Sequence, residues 1–214
     1  MTYQANLRIA ISEDAAQPQF GALLALQRAE EPDVRIRLFE TTFRQQAEGL
    51  ISGLYDAGLA RSCGVSKGLL ARPVWSHTLA AAVPARSSLL AYKQVPLEAI
   101  LKYPMVIWHP EAYEGTYQQV KRVLDAANGE PIVGAHVKSF DLMMALVAAG
   151  YGVGMGVATR IASCRHLGVA MRPLAGCAPS LTSYLLRSSA KPSDSLHGFI
   201  ERAARKPPLG MASH

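Results

Sequence analysis

The strongest constraint on the fold is a strand-then-helix unit that the chain runs through repeatedly. Leu7-Arg8-Ile9-Ala10-Ile11 has the two-residue apolar period of a strand. Phe20, Leu23, Leu24 and Gln27 then follow helical spacing, with Pro18 where a first turn tolerates proline and Pro32-Asp33 closing the helix. Val34 to Phe39 alternates again and predicts a second strand. Thr41 or Thr42 caps a helix that runs to Ile51 and stops at Gly53. Asp56 to Ala60 reads as a short third strand. The order βαβαβ is the opening of a parallel sheet covered by helices.

The unit then returns. Leu69 to Val83 is extended, with Trp75, Thr78 and Val83 as strand formers. A short helix over 97–101 precedes a strand over 105–108. A helix over 117–127 carries Val120, Val123, Leu124 and Ala127 on one face. Next come a strand over 132–137, a helix from Ser139 or Asp141 to Gly150, and a strand over 153–157. Leu181 to Arg187 gives another strand. Pro192 to Ala204 gives a closing helix, capped by Ser193 or Asp194. The expectation is α/β, with two Rossmann-like lobes joined by hinge strands. Lobe I takes 1–82 and 181–206, lobe II takes 83–180, and 207–214 is a tail.

Half of the 214 residues are apolar and 18% are charged, which suits a packed core and argues against disorder. The net charge of +6 is dispersed, and its densest run is Arg202-Ala203-Ala204-Arg205-Lys206. Such a surface serves solubility or draws anions as readily as nucleic acid. Three cysteines, Cys63, Cys164 and Cys177, are too few and too scattered for a disulfide framework or a zinc site, and fit a reducing cytoplasm. The first residues lack a signal-peptide pattern, and no apolar run would span a bilayer, so no membrane partner is expected. Gly150, Gly152, Gly154 and Gly156 lie between a helix and the strand after it, the reverse of a nucleotide-binding loop. Gly150 reads as a helix stop, and no cofactor is expected.

Certain segments carry a resemblance. Leu7 to Ile11, followed by a helix and then Glu31-Pro32-Asp33-Val34-Arg35-Ile36-Arg37-Leu38 ahead of the acidic Glu40, resembles the opening of LysR-type effector-binding domains. Leu50-Ile51-Ser52-Gly53-Leu54-Tyr55-Asp56-Ala57-Gly58-Leu59 is similar to that family's L…G…DxGI segment. Ala145-Leu146-Val147-Ala148-Ala149-Gly150-Tyr151-Gly152-Val153-Gly154 is similar to its LVAAGxGI segment, the most specific of the three. The resemblance implies a type II periplasmic-binding-protein-like architecture and a small-molecule effector, commonly an organic or aromatic acid, held in the inter-lobe cleft. It also implies a homodimer, a tetramer at full length, and DNA bound only through an N-terminal winged helix-turn-helix absent from this chain. A transport solute-binding protein shares the architecture, as do enzymes such as prephenate dehydratase-like domains. Thr41-Thr42-Phe43-Arg44 is faintly like the latter's motif but in the wrong order, and no nucleophile elbow or HExxH is present. The chain is therefore read as a sensor and not an enzyme.

In open α/β sheets ligands sit beyond the carboxyl ends of strands. In the first lobe this selects Ser12, Glu13 and Asp14, then Thr41, Thr42 and Phe43, then Arg61. The family's first loop usually offers hydroxyls and backbone N–H groups to an anion, and Glu13 and Asp14 depart from that. Thr41 or Thr42 serves a ligand or caps a helix. The resemblance gives Arg61 a ligand carboxylate, which a guanidinium grips with a two-pronged fork; the alternative is a surface ion pair. In the second lobe the rule selects Trp108 and His109, Thr116 and Tyr117 at a helix start, Ser139 and Phe140 at the next, and Gly154. Trp108 is equally read as a core aromatic, His109 as a structural imidazole and Ser139 as a helix cap.

Overall fold

Leu7, Ile9 and Ile11 alternate with Arg8, Ala10 and Ser12, and that alternation decides which helix covers which face of the first strand. The computed structural model describes residues 5–12, 15, 17–64, 67–127, 129–164, 168–176 and 179–205. Contacts divide the chain into two compact units, Met1–Trp75 with Thr182–His214, and Ser76–Leu181.

In unit 1, β1 (Ala5–Ser12) lies between β2 (Val34–Thr41) and β3 (Ala57–Ala60), parallel to both. The sheet continues through β9 (Ser180–Ser188), antiparallel to β3, to the start of β4 (Leu69–Pro84). Leu7, Ile9 and Ile11 pack with Phe20 and Leu23 of α1 (Pro18–Glu30) and with Leu196, Phe199 and Ile200 of α7 (Asp194–Ala204). The opposite face takes α2 (Phe43–Ile51) through Ala47 and Leu50. Asp56 ties the outer end of the β1–β3 pair, since Arg8 donates to it from its backbone N–H (2.7 Å), Nε (3.1 Å) and Nη2 (2.7 Å).

Unit 2 has the strand order β8–β4–β7–β5–β6. β5 (Met105–Trp108) is parallel to β6 (Val133–Val137) and β7 (Val153–Val157), and β4 runs antiparallel to β7 and to β8 (Val169–Pro173). Leu79, Ala81 and Val83 point into one core with Ile100 of α3 (Leu97–Ile100) and Val120 and Leu124 of α4 (Glu114–Asp125). Ala80 and Ala82 point into another, with Phe140, Met143 and Val147 of α5 (Phe140–Ala148) and Ile161 of α6 (Ala158–Ser163). Each face thus has its own core, as a sheet buried on both sides requires.

The structure adds to the sequence reading in three places. α4 starts at Glu114, three residues before the predicted start, because Gly115 weakens the helical signal there. α6 follows β7 with no turn residue and no side-chain cap, and β8 is a five-residue strand ending in Pro173, so neither has a clear pattern. Gly150 follows α5 at φ +83, the left-handed stop expected of it.

The α1–α7 contact in unit 1 is electrostatic as well as apolar. Arg202, buried on α7, reaches Glu31 at 2.5 Å and Glu30 at 3.6 Å, while Arg205 reaches Glu30 at 2.5 Å. Hydrogen bonding from Arg202, then from Gln27, holds the Glu31 carboxyl below its ordinary value. A depressed carboxyl contributes stability that is present above its unfolded value and lost as pH falls through the folded one. Arg202→Met should therefore cost about 2 kcal/mol near neutral pH, less than the ~3–5 of a fully buried pair because both glutamates are partly exposed. Urea denaturation at neutral pH and below pH ~4 checks both parts, because the variant should also lose less stability on acidification than the parent.

Candidate effector site at the strand ends

The two units carry separate sets of strand-end residues. In unit 1 the parallel register brings three strand ends level. Ser12 stands opposite Thr41, and Ile11 opposite Leu59, two residues before Arg61. Ser12 is fully buried, and its hydroxyl donates to the Leu59 carbonyl at 3.4 Å. The Thr41 hydroxyl is buried and has no hydrogen-bond partner among the described residues. Thr42, by contrast, is the N-cap of α2. Its Oγ1 accepts from the Gln45 backbone N–H at 3.3 Å, while Gln45 Oε1 accepts from the Thr42 backbone N–H at 3.2 Å. This reciprocal capping box commits Thr42 to the helix start and leaves Thr41 as the hydroxyl at the strand ends. Phe43 is half-buried against the cluster of Ala47, Leu50, Leu69 and Leu186, and closes on Gly64, whose Cβ would stand 3.2 Å from its ring. Arg61 is 1% exposed. Glu13 and Asp14 lie outside the described residues.

Gln46 also belongs to this set, and sequence reasoning passed over it. It is fully buried on α2, and its Nε2 donates to the carbonyls of Ala10 (2.9 Å) and Leu59 (3.1 Å) at the ends of β1 and β3. Its Oε1 is buried without a partner. The side chain passes over Gly58, where a Cβ would come within 2.7 Å of the Gln46 amide carbon. The signal was available in the sequence, since Gly58 belongs to the DxGL segment, but only the fold shows which side chain needs the space.

In unit 2 the residues divide by burial. Trp108 is 2% exposed at the end of β5 and stacks on Tyr113 with centroids 4.7 Å apart. His109 accepts at Nδ1 from the backbone N–H groups of Glu111 (3.3 Å) and Ala112 (3.4 Å), ahead of α4. Thr116 is fully buried in the first turn of α4, and Tyr117 is half-buried, packed against both cores. Ser139 caps α5 by accepting from the Leu142 N–H at 3.2 Å. Phe140 is buried, and the Arg160 guanidinium lies 4.2 Å above its ring centroid. Burial lowers the Arg160 pKa from its usual value. Arg160, in the helix that follows β7, was missed because α6 was. Gly154 stands apart from this group, inside β7, where a Cβ would approach Met143 to 3.0 Å.

This doubly wound order, with polar groups at the carboxyl ends of parallel strands in each unit, defines a class of two-lobed α/β ligand-binding domains. The model of the LysR substrate binding domain matches residues 2–207, and the chain belongs to that family. Among curated proteins it is 28% identical over 132 residues to an uncharacterized HTH-type transcriptional regulator, YnfL, of Escherichia coli (strain K12), covering 62% of the chain and 44% of that protein. It is 26% identical over 153 residues to the HTH-type transcriptional regulator CysB of Burkholderia cenocepacia, covering 71% of the chain and 48% of that protein. The chain thus spans less than half the length of these relatives. Among solved structures, the BenM effector binding domain with its effector benzoate aligns over 100% of both chains with a TM-score of 0.84 and 21% identity. The effector binding domain of QuiR in complex with shikimate aligns over 93% of this chain and 95% of its own, with a TM-score of 0.81 and 16% identity. The fold is the type II periplasmic-binding-protein-like fold of LysR effector-binding domains. No helix among the described residues is long and apolar enough to cross a membrane, and among them no three His, Cys, Asp or Glu side chains group to hold a metal.

The packing of Gln46 over Gly58 sets a prediction. Gly58→Ala should destabilise the domain by roughly 1–3 kcal/mol, the cost of overpacking a filled site. Gly21→Ala, with nothing within 4 Å of the new methyl, should not destabilise it. Thermal denaturation of the two variants in parallel makes the comparison.

Proposed function

We propose that this domain is the effector sensor of a LysR-type transcriptional regulator and that it binds an organic acid at the strand-end residues of unit 1. Arg61 carries the reading: its guanidinium is withdrawn from water just past the end of β3, in a sheet whose register also brings Ser12 and Thr41 to their strand ends. A charge-assisted fork to a carboxylate gains most where water is excluded. Thr41 Oγ1, buried without a partner, supplies a neighbouring hydroxyl for the second carboxylate oxygen. Unit 2 has its own strand-end set, in which His109, Ser139, Phe140 and Arg160 bring an imidazole, a helix start and an aromatic face carrying a cation. The bound benzoate of the BenM domain and the bound shikimate of the QuiR domain are both carboxylates on one ring, and they support an aromatic or alicyclic acid here. The ligand acts by binding one arrangement of the domain more tightly than another, and a DNA-binding domain elsewhere in the full-length regulator reads the difference. Catalysis has no part in this scheme, and the cytoplasm is its setting.

Thermal-shift measurements against aromatic acids, aliphatic carboxylates, amino acids and sugars test the proposal. A carboxylate at a hundred times its Kd should add about 2.7 kcal/mol and raise the midpoint by several degrees. Arg61→Lys keeps the charge but loses the fork and should weaken the response, and Arg61→Ala should remove it. A full response in Arg61→Ala would refute the assignment of the anchor.

The same reading includes a homodimer through α1 and α4. The outward face of α1 is small, with Gly21, Ala22, Ala25 and Ala29 exposed, which permits close helix approach. α4 borders an apolar groove of about 250 Å³ lined by Ile107, Tyr117, Val120, Leu124 and Val133. Sedimentation equilibrium should show a dimer, and Ala25→Glu should shift it to monomer. A parent domain that is monomeric at high concentration would remove this part of the scheme.

A further inference from the structure

Two buried side chains of unit 1 donate to one carbonyl. Leu59 O accepts from Gln46 Nε2 at 3.1 Å and from the Ser12 hydroxyl at 3.4 Å. Leu59 is also in register with Ile11 of β1 and with Leu185 of β9. A strand therefore lies on either side of it, and ladder bonding makes its own claim on the same oxygen. A carbonyl has only two lone pairs to share. The amide bond has an ordinary N–H···O length, whereas 3.4 Å is long for a hydroxyl, whose bonds to oxygen run about 2.5–3.0 Å. Gln46 thus holds the place at Leu59 that the Ser12 hydroxyl would otherwise take.

The orientation of Gln46 is fixed by its surroundings. Its Nε2 also meets the Ala10 carbonyl at 2.9 Å, and two acceptors call for the amide nitrogen and exclude the amide oxygen. Oε1 is left buried, with no partner among the described residues. A side chain needed here for packing alone would be apolar, because a buried oxygen without a donor is costly. The position requires the N–H. The Thr42 capping box sets the start of α2 and with it the place of Gln46, and Gly58 leaves the room for its side chain.

We propose that Gln46 is a positioning residue for effector binding: by occupying the Leu59 carbonyl, it keeps the Ser12 hydroxyl loosely held and able to donate to a carboxylate. This role rests on the strand-end reading of unit 1. When an acid binds, Ser12 turns its hydroxyl from Leu59 to the ligand, and the carbonyl keeps the amide as its donor. Without the amide, the hydroxyl closes on Leu59, and a ligand must break that bond before Ser12 can serve it.

A double-mutant cycle on the whole chain tests this, by calorimetric titration with benzoate and with shikimate. Gln46→Met removes the donor and nearly keeps the volume. It should weaken the Kd roughly five- to ten-fold, the worth of about one hydrogen bond. In the Ser12→Ala background the same change should cost about two-fold or less. Equal weakening in both backgrounds would overturn the proposal, since Gln46 would then act only through the fold. Urea denaturation without ligand gives a second cycle. Ser12→Ala should lower the midpoint more in Gln46→Met than in the parent, because only there does the hydroxyl bond Leu59 closely; equal shifts overturn the proposal. If Gln46→Met does not fold, the Gln46 side-chain amide protons give the check by NMR. They should move as the acid saturates the parent and stay in place in Ser12→Ala, and any other pattern overturns the proposal. A parent that binds neither acid refutes the aromatic or alicyclic acid of the strand-end reading, and the urea cycle then decides the role of Gln46 by itself.

Discussion

The hydrogen bonds from Gln46 to the ends of β1 and β3 are the constraint on which the unit 1 site depends. A buried backbone carbonyl near the end of a strand must find a donor. One amide satisfies two such carbonyls, those of Ala10 and Leu59. The same bonds dock α2 on the sheet and leave Ser12 and Arg61 two residues from the anchored carbonyls, with Thr41 opposite Ser12. Gly58 is the concession the sheet makes to let that side chain through. Ser12 and Arg61 are therefore supported by a group that need not touch a ligand itself.

The two units solve the same geometric problem with different chemistry. Unit 1 presents hydroxyls and a buried guanidinium at its strand ends, and its helices are joined by ion pairs between α1 and α7. Unit 2 presents aromatic and imidazole groups, and its helix starts are closed by Ser139 at α5 and by His109 ahead of α4.

The sheet and most helices were legible because their apolar residues recur at clean periods and their ends carry proline, glycine or capping hydroxyls. The capping role of Ser139 and the choice of Thr42 over Thr41 follow local rules, and the sequence held both readings open. What stayed illegible depends on distance in space. Gln46 looks like any polar residue on a helix until the carbonyls beneath it are known. Arg160 belongs to a six-residue helix without a cap. Arg61 was singled out by resemblance, and its near-complete burial is a property of the fold.

The path of the chain has a consequence for synthesis. Unit 1 is made of Met1–Trp75 and Thr182–His214, and its core draws Leu185, Leu196, Phe199, Ile200 and Ala203 from the later segment. A nascent chain that has emerged only through unit 2 has an uninterrupted set of strands and helices to close that unit, while Leu7, Ile9 and Phe20 still wait for α7. Folding on the ribosome should then run against chain order, with the middle of the protein complete before its beginning. During that interval the open face of β1 is the part of the molecule most exposed to aggregation and to chaperones.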